Sequence, residues 1–171
     1  MAAVIIMLAA TTAAHAQLEF FNEQNQKIGM ITADGKVTGA QGQSLGTITP
    51  DGKVTNAQGA ALGSINPDGS IVNARNATIG KTAMGKTTGE TNQSLFTISS
   101  DGKVTNPNNL VIATVKGDAR PIAEKTTLKT TGKTTGKTTL ENDEIKNLWS
   151  SAFFIFFEKT TMGKTTKTSF P

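Results

Sequence analysis

An apolar-Gly pair recurs along this chain at a fixed interval, and no other feature narrows the possible folds as much. Ile28-Gly29, Leu45-Gly46, Leu62-Gly63 and Ile79-Gly80 stand 17 residues apart; Leu95-Phe96 opens the next copy 16 residues on, and Ile112-Ala113 the next after 17 more. A short, fixed period marks a repeat architecture and outranks local propensity. A second beat sits inside each copy: Asp34-Gly35, Asp51-Gly52, Asp68-Gly69 and Asp101-Gly102, with Met84-Gly85 in the copy that lacks one residue. Asp-Gly between two short β-prone runs predicts a hairpin, because Gly accepts φ > 0 and Asp bonds its own backbone. Pro50 and Pro67, just before Asp51 and Asp68, suit the fixed φ of a turn entry.

Each unit therefore offers two short strands and two turns. In Leu45–Pro50, strict alternation puts Leu45, Thr47 and Thr49 on one face and Gly46, Ile48 and Pro50 on the other. The second turns are Asn56-Ala57-Gln58-Gly59, Asn73-Ala74-Arg75-Asn76 and Asn106-Pro107-Asn108-Asn109, and Asn and Gly tolerate left-handed geometry. Phe20–Gln24 aligns with Val54–Gln58, so the array opens on a half unit; it closes on another at Ile112–Asp118. Complementary halves predict a ring whose first and last strands pair, which removes exposed sheet edges. The expected fold is mainly β: 17-residue hairpin units closed into a ring or flower of about five-fold pseudo-symmetry, with a C-terminal helix.

The repeated LGTITPDGKV-type units over residues 20–123, with the Phe-rich segment Phe153–Phe157, resemble the five-fold β-flower family of small secreted Bacteroidetes proteins. The resemblance implies a secreted or envelope-associated β protein whose molecular function is not established. It brings no catalytic residues with it.

Met1–Ala16 reads as a secretory signal peptide: an apolar run at Val4–Leu8, then the small-x-small site Ala14-His15-Ala16, leaving Gln17 as the mature start. His15 is the only histidine, and the chain has neither Cys nor Tyr. The mature chain then offers no Ser-His-Asp or Cys-His pair, no thiolate metal site and no disulfide. No catalytic, cofactor-binding or metal-ligating residue is predicted. A net charge of +4 with no basic-aromatic interleaving argues against nucleic acid. Residues 17–123 form the predicted repeat domain. Residues 124–139 are a Lys/Thr-rich low-complexity linker, with a basic arm for an anionic surface as the other reading. Residues 140–158 are the helix, with Asn142 as cap and Asp143 and Glu144 at its positive end; 159–171 are a tail. The helix is nearly apolar all round at its end, so it needs burial against the ring. A membrane-surface anchor and a strand over 152–157 are the alternatives. No transmembrane span is expected in the mature chain.

Residues 80–87, GKTAMGKT, fit the phosphate-cradling P-loop pattern. That chemistry needs a buried strand before and a helix after, whereas the repeat accounts for Gly80, Gly85 and Lys86 copy by copy. The function expected is an exported envelope module, structural or protein-binding, without catalysis. The alternative is a glycan-binding module using Asn56, Gln58, Asn73, Arg75, Asn106 and Asn109 in the amide-rich turns; a nucleotide binder at 80–87 is a third reading. The partner is accordingly a protein or a glycan of the cell envelope, and the location secreted or periplasmic.

Overall fold

The computed structural model describes residues 17–118 and 142–157. The signal peptide, the linker and the tail expected from the sequence lie outside the described residues. Twelve strands follow in order: β1 Gln17–Asn22, β2 Lys27–Thr32, β3 Lys36–Gly39, β4 Ser44–Ile48, β5 Lys53–Asn56, β6 Ala61–Ile65, β7 Ser70–Asn73, β8 Thr78–Ala83, β9 Lys86–Gly89, β10 Ser94–Ile98, β11 Lys103–Thr105 and β12 Val111–Gly117. Each pairs antiparallel with its sequence neighbour, and β1 pairs with β12 from Leu18↔Gly117 to Asn22↔Ala113, closing the barrel. The expected closure by complementary halves is therefore formed. Five tight glycine turns line one end, and the β1–β12 pairing takes the sixth place there.

Four of the five glycine turns share one geometry, in which the glycine alone has positive φ (Gly35 84°, Gly52 83°, Gly69 80°, Gly102 83°). The shorter copy differs. Ala83 pairs directly with Lys86, and both Met84 (48°) and Gly85 (79°) take positive φ. Two central residues at φ > 0 make a type I′ turn. The deleted residue thus changed the turn class and left Met84 fully exposed in a conformation that disfavours it.

Strict alternation fails at one place in every unit. The register skips Ile28, Leu45, Leu62, Ile79, Leu95 and Ile112, each by a shift of one residue against its partner strand. Such β-bulges turn the extra residue and bend the strand. Leu45 accordingly lies buried with Gly46 and Ile48, not outward with Thr47 as alternation alone places it. Six bulges at equivalent positions also give the sheet the curvature that closure demands.

Helix α1, Asn142–Ala152, runs into a π-helical turn, Phe153–Phe157. Both lie inside the barrel. Trp149 approaches Gly35, Phe153 approaches Gly29, Phe157 Gly46, Phe156 Gly63 and Ile155 Gly80, so the helix meets the wall all round. The expected helix is found, but it fills the lumen where packing against the ring was anticipated. Residues 152–157 form no strand.

Candidate functional site

The lumen is built in two levels. Nearer the glycine turns, the wall is large, and the helix sets the small Ser150–Ala152 beside Leu148 and Trp149, which meet Ile48 and Ile65. The inward cross-strand pairs are Ile31↔Val37, Ile48↔Val54, Ile65↔Ile71, Ile98↔Val104 and Phe20↔Val115, all buried. Ser150, Ser151 and Ala152 lie buried on the helix. At the next level the wall is small and the helix large. A Cβ added to Gly29 would fall 2.7 Å from the Phe153 ring; on Gly46 and Gly63 it would fall 2.9 Å from Phe157 and Phe156. Where the wall carries Phe96 instead, Phe154 meets it edge-on at 5.4 Å. Five consecutive helix residues thus address five different units. In an α-helix, residues four apart stack on one face. The wider π turn, with its i→i+5 bonding, sets Phe153 and Phe157 on neighbouring units instead.

One unit breaks the apolar pattern. Its inward pair is Thr82↔Thr87, both buried. Ser151 completes a hydroxyl triangle with them: 2.9 Å to Thr87, 3.2 Å to Thr82, and 3.2 Å between the two threonines. The polar wall position and the polar helix residue coincide, so the triangle fixes which way round the helix sits. Next to it, Ser150 Oγ is buried without a hydrogen-bond partner. A cavity of about 10 Å³ lies among Ile48, Pro50, Gly52, Ile65, Leu148 and Trp149, which is about the room one water needs.

At the opposite end from the glycine turns stand the amide turns nominated for glycan binding. The structure uses their carbonyl groups internally. Asn56 Oδ1 accepts the N–H groups of Gln58 (3.0 Å) and Ala60 (2.9 Å); Asn73 does the same for Arg75 and Ala77, and Asn106 for Asn108 and Leu110. Gln58 and Arg75 are exposed, and Asn109 holds the left-handed turn position at φ 61°. Where a copy has Gly39 or Gly89 in place of the Asn, a Gln four residues later folds back into the vacated space. Gln43 Oε1 accepts the N–H of Gln41, and Gln93 Oε1 that of Thr91, both at 3.1 Å. A Cβ on Gly39 would fall 2.3 Å from Gln43 Nε2. Each of these turns therefore keeps one amide acceptor from either of two sources. Asn56, Asn73 and Asn106 sit on separate turns around the barrel mouth and are not drawn together.

The carboxylates of the glycine turns are likewise bound within their own turns. Thr32, Thr49 and Ser99 donate hydroxyl hydrogen bonds to Asp34, Asp51 and Asp101. Asp68 accepts from Ser70, from both its hydroxyl (2.7 Å) and its N–H (3.0 Å). Lys103 lies 2.7 Å from Asp101 and Lys53 3.2 Å from Asp51. The Lys103 ammonium, then the Ser99 hydroxyl, hold Asp101 far below the usual carboxylate range, and Lys103 is raised in turn. Thr49 lowers Asp51, and Ser70 lowers Asp68. No group of three or more His, Cys, Asp or Glu residues that could hold a metal occurs among the described residues.

Residues 80–87 are a β-hairpin. Gly80 faces Ile155, Lys81 and Lys86 are exposed, and Thr87 is buried against Ser151. The strand-loop-helix frame on which phosphate cradling depends is not formed there.

A family model described as 5-fold beta-flower protein matches residues 14–126. The chain belongs to that family. The matched stretch takes in all twelve strands of this β-flower and stops short of α1 and the aromatic turn. No curated protein and no solved structure matches the chain.

Proposed function

We propose that this β-flower is an exported cell-envelope module with a structural or protein-binding role and no catalysis. One observation carries the reading: the lumen, where a small barrel holds a ligand, is occupied by the chain's own Trp149 and Phe153–Phe157. What remains for contact is the outer wall and the turns. The outward positions bear Lys36, Lys53, Lys81, Lys86 and Lys103 among threonines, a face suited to water and not to lipid. No helix among the described residues is long and apolar enough to cross a membrane. The signal-peptide reading of residues 1–16 supports export, and the family resemblance supports a Bacteroidetes envelope setting. The five-fold description fits the five glycine turns and the five wall-facing residues Phe153–Phe157, with the β1–β12 pairing as an added sixth pair.

A thermal-melt panel of the chain from Gln17 with envelope glycans and Mg-ATP tests this reading. The expected result is no shift with either. A ligand at about 100 times its dissociation constant adds roughly 2.7 kcal/mol, a shift of a few degrees in a domain of this size. A glycan-dependent shift lost on changing Gln58 and Arg75 to Ala would replace the proposal with glycan binding at the amide turns.

A further inference from the structure

The helix raises a topological question. Its wall is closed all round, and the chain continues at both ends, back toward Asp118 and on to Pro171. Such an element enters either by threading or through a wall that opens. Eleven of the twelve strand contacts join sequence neighbours tied by a turn of a few residues, so those strands can only splay at one end. The β1–β12 contact alone joins strands with no such tie, and alone can separate completely.

The strand at this seam also grips the helix. Phe20 stands on β1 where the other units carry Val37, Val54, Ile71, Thr87 or Val104. Its ring stacks on Phe153, with centroids 3.8 Å apart and planes within 1°, and meets Phe154 edge-on at 5.6 Å. The largest inward side chain of its layer thus sits on a strand of the one seam that can part. On the outer face of the seam, Lys116 reaches over the Phe21 ring at 4.3 Å and bonds Asn25 at 3.1 Å.

We infer that β1 is a strap: the barrel opens at the β1–β12 seam to admit or release the helix, and Phe20 is the clasp that couples seam closure to helix seating. Release of β1 and exposure of the helix are then a single event, separable from unfolding of the remaining ring.

The full chain has no cysteine among its residues, so a lock can be introduced cleanly. Glu19→Cys with Lys116→Cys joins directly opposed outward positions across the seam, and Thr47→Cys with Thr55→Cys does the same within a turn-tied hairpin as control. The readout is native-state amide hydrogen exchange. Protection of residues 145–157 is expressed relative to β6 and β7, so that any general stabilisation cancels. With the seam pair reduced, the helix and β1 exchange together and faster than β6 and β7. Oxidising that pair slows helix exchange relative to β6 and β7 by roughly tenfold or more, and oxidising the control pair leaves the ratio unchanged. Helix protection equal to that of β6 and β7 in the reduced protein, or a ratio unmoved by the seam lock, overturns the inference.

Discussion

The two levels of the lumen fill the same kind of space in opposite ways. Around Ser150–Ala152 the wall supplies Ile and Val and the helix steps back. Around Phe153–Phe157 the wall reduces to Gly29, Gly46, Gly63 and Gly80 and the helix supplies the volume. Interiors pack to crystal-like density, so volume removed on one side must appear on the other. The repeat could carry apolar side chains at both levels only if nothing ran through it. Its glycines are half of a fit whose other half lies more than 40 residues past the last strand-forming unit's start, at the far end of the chain.

The largest effect expected is at the large-helix level. Phe153→Ala removes the stack on Phe20 and leaves a void opposite Gly29. It should cost about 3–5 kcal/mol in denaturant unfolding, whereas an exposed change such as Lys36→Ala costs within about 0.5 kcal/mol. Gly46→Ala attacks the same level from the wall. Its Cβ would fall 1.9 Å from the Thr55 carbonyl oxygen as well as 2.9 Å from Phe157, and a loss of about 3 kcal/mol follows from overpacking.

The hydroxyl triangle gives a subtler contrast. Thr87→Val alone removes two of the three contacts, leaving Ser151 and Thr82 bonded only to each other, and should cost about 1 kcal/mol, while replacing Thr82 and Thr87 by Val together with Ser151→Ala should be near neutral or stabilising. If the single and triple variants melt alike, the triangle does not set the helix orientation. Smaller still, Met84→Gly relieves the positive φ of the short turn and should stabilise by about 1 kcal/mol.

The smallest effect is electrostatic. Asp101 and Asp51 are depressed in the fold, so their contribution is present above the unfolded carboxylate range and is lost as pH falls from that range through their lowered folded values. Asp101→Asn with Asp51→Asn should lower the melting temperature slightly at neutral pH, where that contribution is present, and converge on the parent protein as pH falls below about 4. Lys103 is raised, so its part is held at neutral pH and is lost only at strongly alkaline pH.

Much of the ring was legible in the sequence. The period located the hairpins, Asp-Gly located the tight turns, and the half units at Phe20–Gln24 and Ile112–Asp118 announced closure. The helix was legible from its apolar spacing, but not its place. A helix that is apolar all round demands burial without saying by what. The sign lay in the wall: glycine four times at one strand position means a bulge or a close approach, and the strand-forming Leu45-Gly46 pair turned out to be both. Strict alternation missed the bulges because a one-residue insertion reverses every later assignment in a period-2 pattern. The amide turns were read as exposed because Asn and Gly favour turns. That Asn56 or Gln43 is spent on its own backbone was written in a paired exchange: Asn with Ala four residues later in some copies, Gly with Gln in others. Ser151 carried no such sign, since a serine on a helix gains meaning only once Thr82 and Thr87 are seen opposite it.

The C-terminal helix occupies the lumen, with Trp149 and Phe153–Phe157 filling it. Nuclear Overhauser contacts from side-chain protons of Phe153, Ile155, Phe156 and Phe157 to the glycine Hα protons of the wall test it directly. The account predicts contacts from Phe153 to Gly29, Phe157 to Gly46, Phe156 to Gly63 and Ile155 to Gly80, on four separate units of the ring. Contacts confined to one or two adjacent strands would place the helix on the outside of the barrel, and would return the lumen to consideration as a binding site.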